Sequence, residues 1–251
     1  MSQIASPQNP RLKAVRRLHA KRERARLGRF LAEGEDLIAA AERAGRPALE
    51  GYRLAGSGLG GDDFFDVERS ALGRVSALGS GTRVMGVYEQ RWVAAVGPLC
   101  VYLHGVGDPG NVGTVLRSAQ AFGASCVALG PGCADPHSPK AVRASMGAIF
   151  AVALARVEDM GELPGERIGL SAGAGEALRG PLDPRAAPIT LLVGAEREGL
   201  PAEVLAACDR LARIPIASDS LNAAMAATVA LYEMTMRSRP RGRDNDTVPA
   251  S

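Results

Sequence analysis

From Leu99 onward, short and almost wholly apolar runs alternate with segments of helical period. The runs at 99–104 (LCVYLH), 126–129 (CVAL), 150–155 (FAVALA), 167–171 (RIGLS), 189–193 (ITLLV) and 211–216 (LARIPI) read as strands buried on both faces. A strand covered on one side only would alternate apolar and polar residues. Helical spacing occupies 112–122, 140–146, 202–207 and 221–237. In the first of these Val112, Val115, Leu116, Ala119 and Phe122 share a face, and Arg117 falls nearly opposite it. In the last, Leu221, Ala224, Met225, Thr228, Leu231 and Tyr232 are expected to form a buried stripe. This rhythm predicts an α/β fold with a largely parallel sheet covered by helices on both sides.

Before Leu99 the pattern is different. One helix is expected where Leu12, Val15, Arg16 and His19 share a face, and a second over 35–44, closed by Gly45 and Pro47. Strand-like pieces lie near 52–54 and 84–88, separated by glycine clusters. The change of pattern around 94–98 divides the chain into a small N-terminal α/β domain, 1–94, and a larger domain, 97–239. The polar, proline-containing tail 240–251 is expected to be disordered.

Composition narrows the class. Of 251 residues, 46% are hydrophobic and 23% charged, enough apolar material for a packed core. No apolar run is long enough to cross a bilayer and the N-terminus lacks a signal-peptide core, so a cytoplasmic protein is expected, with no membrane partner. Cys100, Cys126, Cys133 and Cys208 form no C-x-x-C pair and are read as reduced thiols, with no metal site. The histidines, His19, His104 and His137, are scattered and read as structural. The net charge of +3 is unevenly spread. Residues 1–30 carry nine Lys or Arg against Glu23 alone, a local excess of +8 that leaves −5 on the remainder. A basic segment on a mildly acidic chain points to a polyanionic partner.

Three strand ends run into chemically unusual loops: DPGNVGTVLRSAQAFGA from Asp108, LLVGAEREGLP from Leu191, and IPIASDSLNAAMAATVALYE from Ile214. Gly105, Gly107 and Gly110 also spell G-x-G-x-x-G, the dinucleotide fingerprint, which raises a nicotinamide-dependent oxidoreductase as an alternative. Against it, Pro109 sits inside the fingerprint, and the next strand ends in Gly130 and Pro131 where a ribose-binding acid is expected. Each polar residue has an ordinary explanation when taken singly. Asn111 reads as a helix N-cap, Arg117 as a surface arginine, Glu196 as a solvated acid in a glycine turn, and one of Ser220 and Asn222 as a second N-cap. Together they could line one concave site at three strand ends, but residue types alone do not name its chemistry.

Those three segments, in that order, resemble the motifs of the SpoU (TrmH-like) RNA 2'-O-ribose methyltransferases of the SPOUT superfamily. CADPHSPKAVRASMGAIF, from Cys133 to Phe150, is similar to a further family segment. The resemblance runs from Leu99 to about Arg237, and more weakly through SPQNPRLKAVRRLHAKRERARLGRFLAEGEDLI, which resembles the RNA substrate-binding domain many members carry. It implies a deep trefoil knot, S-adenosylmethionine bound bent within it against Gly194, Ile214 and Leu221, and a homodimer whose sites are completed at the subunit interface. It also implies catalytic roles for Asn111, Arg117, Glu196, Ser220 and Asn222. Arg117 would bind the phosphate of the target nucleotide or act as general base; a guanidinium stays protonated, so the phosphate role ranks first. The others would orient Arg117, the ribose or the methionyl group, with Glu196 holding the loop network. The chain departs from the family in a shorter spacer between Ile214 and Leu221, and in Ala223, where valine is frequent.

Lys140 and Arg143, with Lys13, Arg16 and Arg17 of the basic segment, are read as contacts to RNA phosphates. Only 4% of residues are aromatic, so recognition of shape and backbone is expected over a base-stacking platform. The N-terminal extension resembles that of members acting on ribosomal RNA, which is preferred over transfer RNA. A non-catalytic RNA-binding protein is the remaining alternative, and the retention of all five polar positions argues against it.

Overall fold

The computed structural model describes residues 3–77, 81–178, 186–217 and 220–236. The tail from 240 therefore lies outside the described residues, as do 218 and 219 of the short spacer.

Asn9 caps the first helix, α1 (Pro10–Arg17), by accepting from the Arg11 N–H, and Pro10 fits its first turn. Its buried stripe is Leu12 and Val15, continued by Leu18 just past the helix end; Arg16, expected on that face, is exposed. A second short helix, α2 (Lys21–Leu27), carries the rest of the basic run and stops at Gly28 in the left-handed region. The following strand β1 (Arg29–Glu33) was not expected from the pattern. It is followed by α3 (Glu35–Arg43), β2 (Glu50–Leu54), β3 (Phe65–Val67), α4 (Arg69–Val75) and β4 (Val84–Glu89). The four strands form one sheet in the order β1-β4-β2-β3, with β4 antiparallel to both its neighbours.

The larger sheet is wholly parallel. Its strands are β5 (Leu99–Leu103), β6 (Cys126–Leu129), β7 (Ala153–Arg156), β8 (Glu166–Leu170), β9 (Glu176–Ala177), β10 (Ile189–Val193) and β11 (Arg210–Arg213), in the order β7-β6-β5-β10-β8-β11-β9. The helices are α5 (Pro109–Phe122), α6 (Pro139–Ala144), α7 (Ala148–Ala151), α8 (Ala202–Ala206) and α9 (Ala223–Met236). The α/β expectation is met, with two local corrections. The run 150–155 splits into the short helix α7 and the strand β7, because Gly147 turns the chain at φ +92°. That turn sends Phe150 against Tyr88, ring centres 4.7 Å apart, and Phe30, at 5.8 Å. The strand expected over 211–216 stops at Arg213, two residues before Pro215, which has no N–H for a ladder.

One apolar cluster runs through both sheets, from Phe30, Leu37 and Tyr88 to Leu99, Val101, Leu116 and Phe150. A side chain at Gly147 would meet the Cβ of Ala40 at 2.3 Å, so α3 and α7 pack at a distance only glycine allows. Beside them, Arg24 is 3% exposed. Its Nε and Nη2 donate to Asp135 Oδ2 at 2.9 and 2.6 Å, and its Nη1 to the carbonyls of Leu18 and His19. The two bonds to Asp135 dock the basic helices onto the larger domain, and the two to Leu18 and His19 tie α2 to the end of α1.

Candidate active site

Parallel strands deliver their C-terminal ends to one edge, and β5 and β10 are direct neighbours there, Leu103 opposite Val193. Above that edge α5 and α9 lie side by side and point the same way. Asn222 meets Asn111, Ser118 Oγ lies 2.6 Å from Thr228 Oγ1, and Phe122 meets Tyr232. Both helices therefore open at the same place.

The N-cap of α5 is Asp108, not Asn111: its Oδ1 accepts from the Asn111 N–H at 3.1 Å. Its Oδ2 accepts from Lys140 Nζ at 2.6 Å. The Lys140 hydrogen bond, above all, holds the Asp108 carboxyl below its ordinary range, helped by the backbone N–H groups. Asn111 thus sits in the first turn with its amide available. Asn222 caps α9, its Oδ1 accepting from the N–H groups of Ala224 (3.0 Å) and Met225 (3.2 Å). Its Nδ2 donates to Glu196 Oε1 at 2.6 Å and to Asn111 Oδ1 at 3.1 Å. Asn111 Nδ2 donates to the same Glu196 oxygen, closing a three-membered ring of contacts.

Glu196 is held there by a tight loop. Ala195 and Gly199 exchange backbone hydrogen bonds, and a side chain at Gly194 would meet the carbonyl carbon of Gly199 at 2.1 Å, so only glycine lets the loop fold back. Below it lies a cavity of about 110 Å³ lined by Gly194, Glu196, Ile214, Ser220 and Leu221, with Leu170 and Ile216 among its apolar walls. All three residues expected to hold a cofactor share that cavity with two of the five expected catalytic residues. Asn111 and Asn222 are joined to it through Glu196.

Arg117 is not part of this arrangement. It is exposed, and its side chain makes no hydrogen bond or ion pair with the other described residues. Six residues past Asn111, it stands about 9 Å further along the helix. Lys13, Arg16 and Arg143 are likewise exposed and unpaired among the described residues. Arg17 is bound to Glu23 at 2.7 Å, and Lys140 to Asp108. The histidines are engaged elsewhere. His19 Nε2 lies 2.6 Å from the Val75 carbonyl oxygen and His104 Nδ1 3.1 Å from Tyr102 Oη. His137 is buried between Phe30 and Trp92, and burial lowers its pKa to about 4. No cluster of metal-ligating side chains occurs among the described residues.

Asp108 and its ion pair with Lys140 escaped the sequence reading, although Asp-Pro at a helix start is a capping signal. The pair also bears on the glycine fingerprint. The Asp108 carboxylate occupies the helix N-terminus where a dinucleotide pyrophosphate would sit.

The SpoU rRNA Methylase family model matches residues 98–232, and that of the MRM3-like substrate binding domain matches residues 9–56. A 23S rRNA (guanosine(2553)-2'-O)-methyltransferase of Bacillus subtilis is 28% identical, over 93% of this chain and 99% of its own. Several further relatives are matched over about half their own length. Among solved structures, the AdoMet-bound rRNA methyltransferase of Sinorhizobium meliloti has a TM-score of 0.82 at 31% identity, covering 95% of this chain and 99% of that one. The SpoU methyltransferase AviRb of Streptomyces viridochromogenes, in complex with AdoMet, has a TM-score of 0.78 at 26% identity, covering 94% and 100%. With its three polar loops gathered on one edge of a parallel sheet and a family model matching more than half its length, the chain belongs to the SpoU rRNA methylase family.

Proposed function

We propose that this chain transfers a methyl group from S-adenosylmethionine to a ribose 2'-hydroxyl of ribosomal RNA. The observation that carries the reading is the Asn111–Glu196–Asn222 network, joined to the cavity of Gly194, Ile214 and Leu221. Glycine backbone, aliphatic walls and few charges suit a nucleoside and a methionyl chain. The cavity's 110 Å³ is smaller than the ~300–1,000 Å³ usual for a ligand site, so it would seat one end of the cofactor. When bound, S-adenosylmethionine supplies an electrophilic methyl carbon on a sulfonium.

The chain's own residues supply position. Asn111 and Asn222 hold Glu196 in the lining of the cavity and tie the starts of α5 and α9 together, and Ser220 and Leu221 line it beside Glu196. Arg117 is unattached in its own subunit, which supports a role in the site of a second copy, gripping the phosphate of the target nucleotide. Met225, Val229 and Tyr232 support the homodimer: they are 61%, 38% and 52% exposed along one side of α9. That face was expected to be buried at Met225 and Tyr232, and a second subunit would cover it.

Lys13, Arg16 and Arg143 would lead RNA toward the sheet edge. Arg17 and Lys140 sit in exposed ion pairs, which are weak enough for a phosphate to displace. The two family-model matches support an RNA-binding domain over 1–94 and a catalytic domain over 97–239. The out-of-order strands β10 and β11 support the knotted C-terminus. A ribosomal substrate supports a cytoplasmic enzyme; no helix among the described residues is long and apolar enough to cross a membrane.

Tritiated S-adenosylmethionine with RNA from cells lacking the gene tests the reading. Label is expected in ribosomal RNA, in dinucleotides that resist alkaline hydrolysis. Label confined to bases or to transfer RNA, or no label, would overturn it.

A further inference from the structure

A larger cavity, of about 550 Å³, opens between the N-terminal helices and the larger sheet, and the methyl-transfer reading leaves it without a role. It lies at the C-terminal ends of β6 and β7, the same edge that carries Glu196. Gly105 links the two places. Its N–H donates to the Pro131 carbonyl on the cavity side, and a side chain on it would lie 3.4 Å from the Cβ of Ala195 on the other. The separation is two to three strand spacings of about 4.8 Å. A single polynucleotide strand can span that distance while its ribose sits at Glu196.

The wall is chemically distinctive. Trp92, the only tryptophan of the chain, lines it together with Arg156, whose guanidinium lies over the indole at 4.1 Å from the ring centre. Arg156 and Lys21, at the rim, are exposed and form no ion pair with the other described residues. Asp135, also in the lining, is already matched by Arg24. Gln90 adds an amide and Glu158 an exposed carboxylate to an otherwise apolar surface of Ala25, Leu129, Pro131 and Pro136, so the unpaired charges of the lining are two positive against one negative. A guanidinium over an indole, an excess of unpaired positive charge and a few polar groups on an apolar floor suit a nucleobase with its phosphate. A lipid or an apolar peptide would need neither the stack nor the charge.

We propose that this inter-domain cavity binds an unstacked nucleotide of the RNA substrate, flanking the one methylated, with its base on the Arg156–Trp92 stack and its phosphate against Lys21. This amends the expectation of backbone-only recognition: one stacking site is present despite the low aromatic content. The proposal deepens the methyl-transfer reading and rests on it for the identity of the RNA.

Trp92 is a built-in reporter. Titrating the full chain, loaded with S-adenosylmethionine, with the ribo-oligonucleotide hexaadenylate is expected to quench its emission saturably. Arg156→Ala should weaken that binding about tenfold, and Arg156→Lys, which keeps the charge but not the plane, should rescue it only in part. With ribosomal RNA as substrate, Arg156→Ala and Lys21→Glu should raise KM about tenfold, leaving kcat within twofold and calorimetric affinity for S-adenosylmethionine unchanged. Hexaadenylate that leaves Trp92 emission unmoved, or an Arg156→Ala enzyme with wild-type KM, would overturn the proposal. Failure of the wild-type chain to methylate any RNA, with quenching intact, would instead overturn the catalytic reading and leave the base pocket standing.

Discussion

Asn222 does two jobs with two ends of one amide, and substitution can separate them. Its Oδ1 caps α9 and its Nδ2 holds Glu196 and Asn111. Asn222→Ser keeps an oxygen at the cap, where serine ranks with asparagine, and removes both donations. Each lost hydrogen bond is worth about 0.5–1.5 kcal/mol net at a site this exposed, so the pair accounts for about 1–3 kcal/mol. If the network aligns the reacting groups, kcat/KM falls roughly 5- to 150-fold. Both bonds are already made in the folded protein, so stability should fall by up to about the same 1–3 kcal/mol. Asn222→Ala loses the cap as well, a further cost of about 0.5–2 kcal/mol. At about 2–4 °C per kcal/mol for a chain of this size, its Tm should drop by a few degrees more than that of the serine variant. Thermal unfolding and methyl transfer measured on the same preparations test both halves. A fully active serine variant would refute the alignment argument, and an alanine variant with the Tm of the serine one would refute the capping argument.

Other consequences can be checked independently. His137 has a folded-state pKa near 4 against 6.5 in an unfolded chain, mainly because it is buried; the charges of Arg156, Arg24 and Arg46 add to the shift and Asp135 opposes it. The unfolded chain then binds more protons between those values, so this stability is complete above about pH 6.5 and is lost as pH falls toward 4. The loss is no more than about 3 kcal/mol. His137→Phe, keeping a ring between Phe30 and Trp92, should flatten denaturant midpoints across that window; an unaltered slope would exclude His137 as the cause. Arg24→Ala strands Asp135 and two carbonyls in a buried interface and should cost about 3–5 kcal/mol by denaturant unfolding, whereas a loss under 1 kcal/mol would mean that water replaces the clamp. Met225→Glu should shift sedimentation from dimer to monomer, and a persistent dimer would move the interface off α9. Mixing Arg117→Ala and Glu196→Ala subunits should restore activity absent from either alone; no recovery would put Arg117 to work within its own subunit.

Much of the larger domain was legible because a strand buried on both faces must be apolar throughout, and a helix must carry its apolar residues at a period of 3.6. Those constraints act within a few neighbouring residues and marked β5, β6, β10 and α5 directly. The three polar loops were visible for a related reason, since glycine, asparagine and acid at a strand end contradict the apolar pattern around them. Their resemblance to a family supplied roles that no periodicity contains. Which loops would meet was decided only in three dimensions. Asn111 and Asn222 are 111 positions apart, as are Arg24 and Asp135, and they join because strand order and helix packing bring them together. The same holds for Asp108 taking the cap from Asn111, for Phe150 leaving a strand to complete an aromatic cluster, and for Met225 and Tyr232 facing outward on a helix whose other side is covered. A local pattern records whether a residue prefers water or core. Which partner it finds there depends on the path of the whole chain.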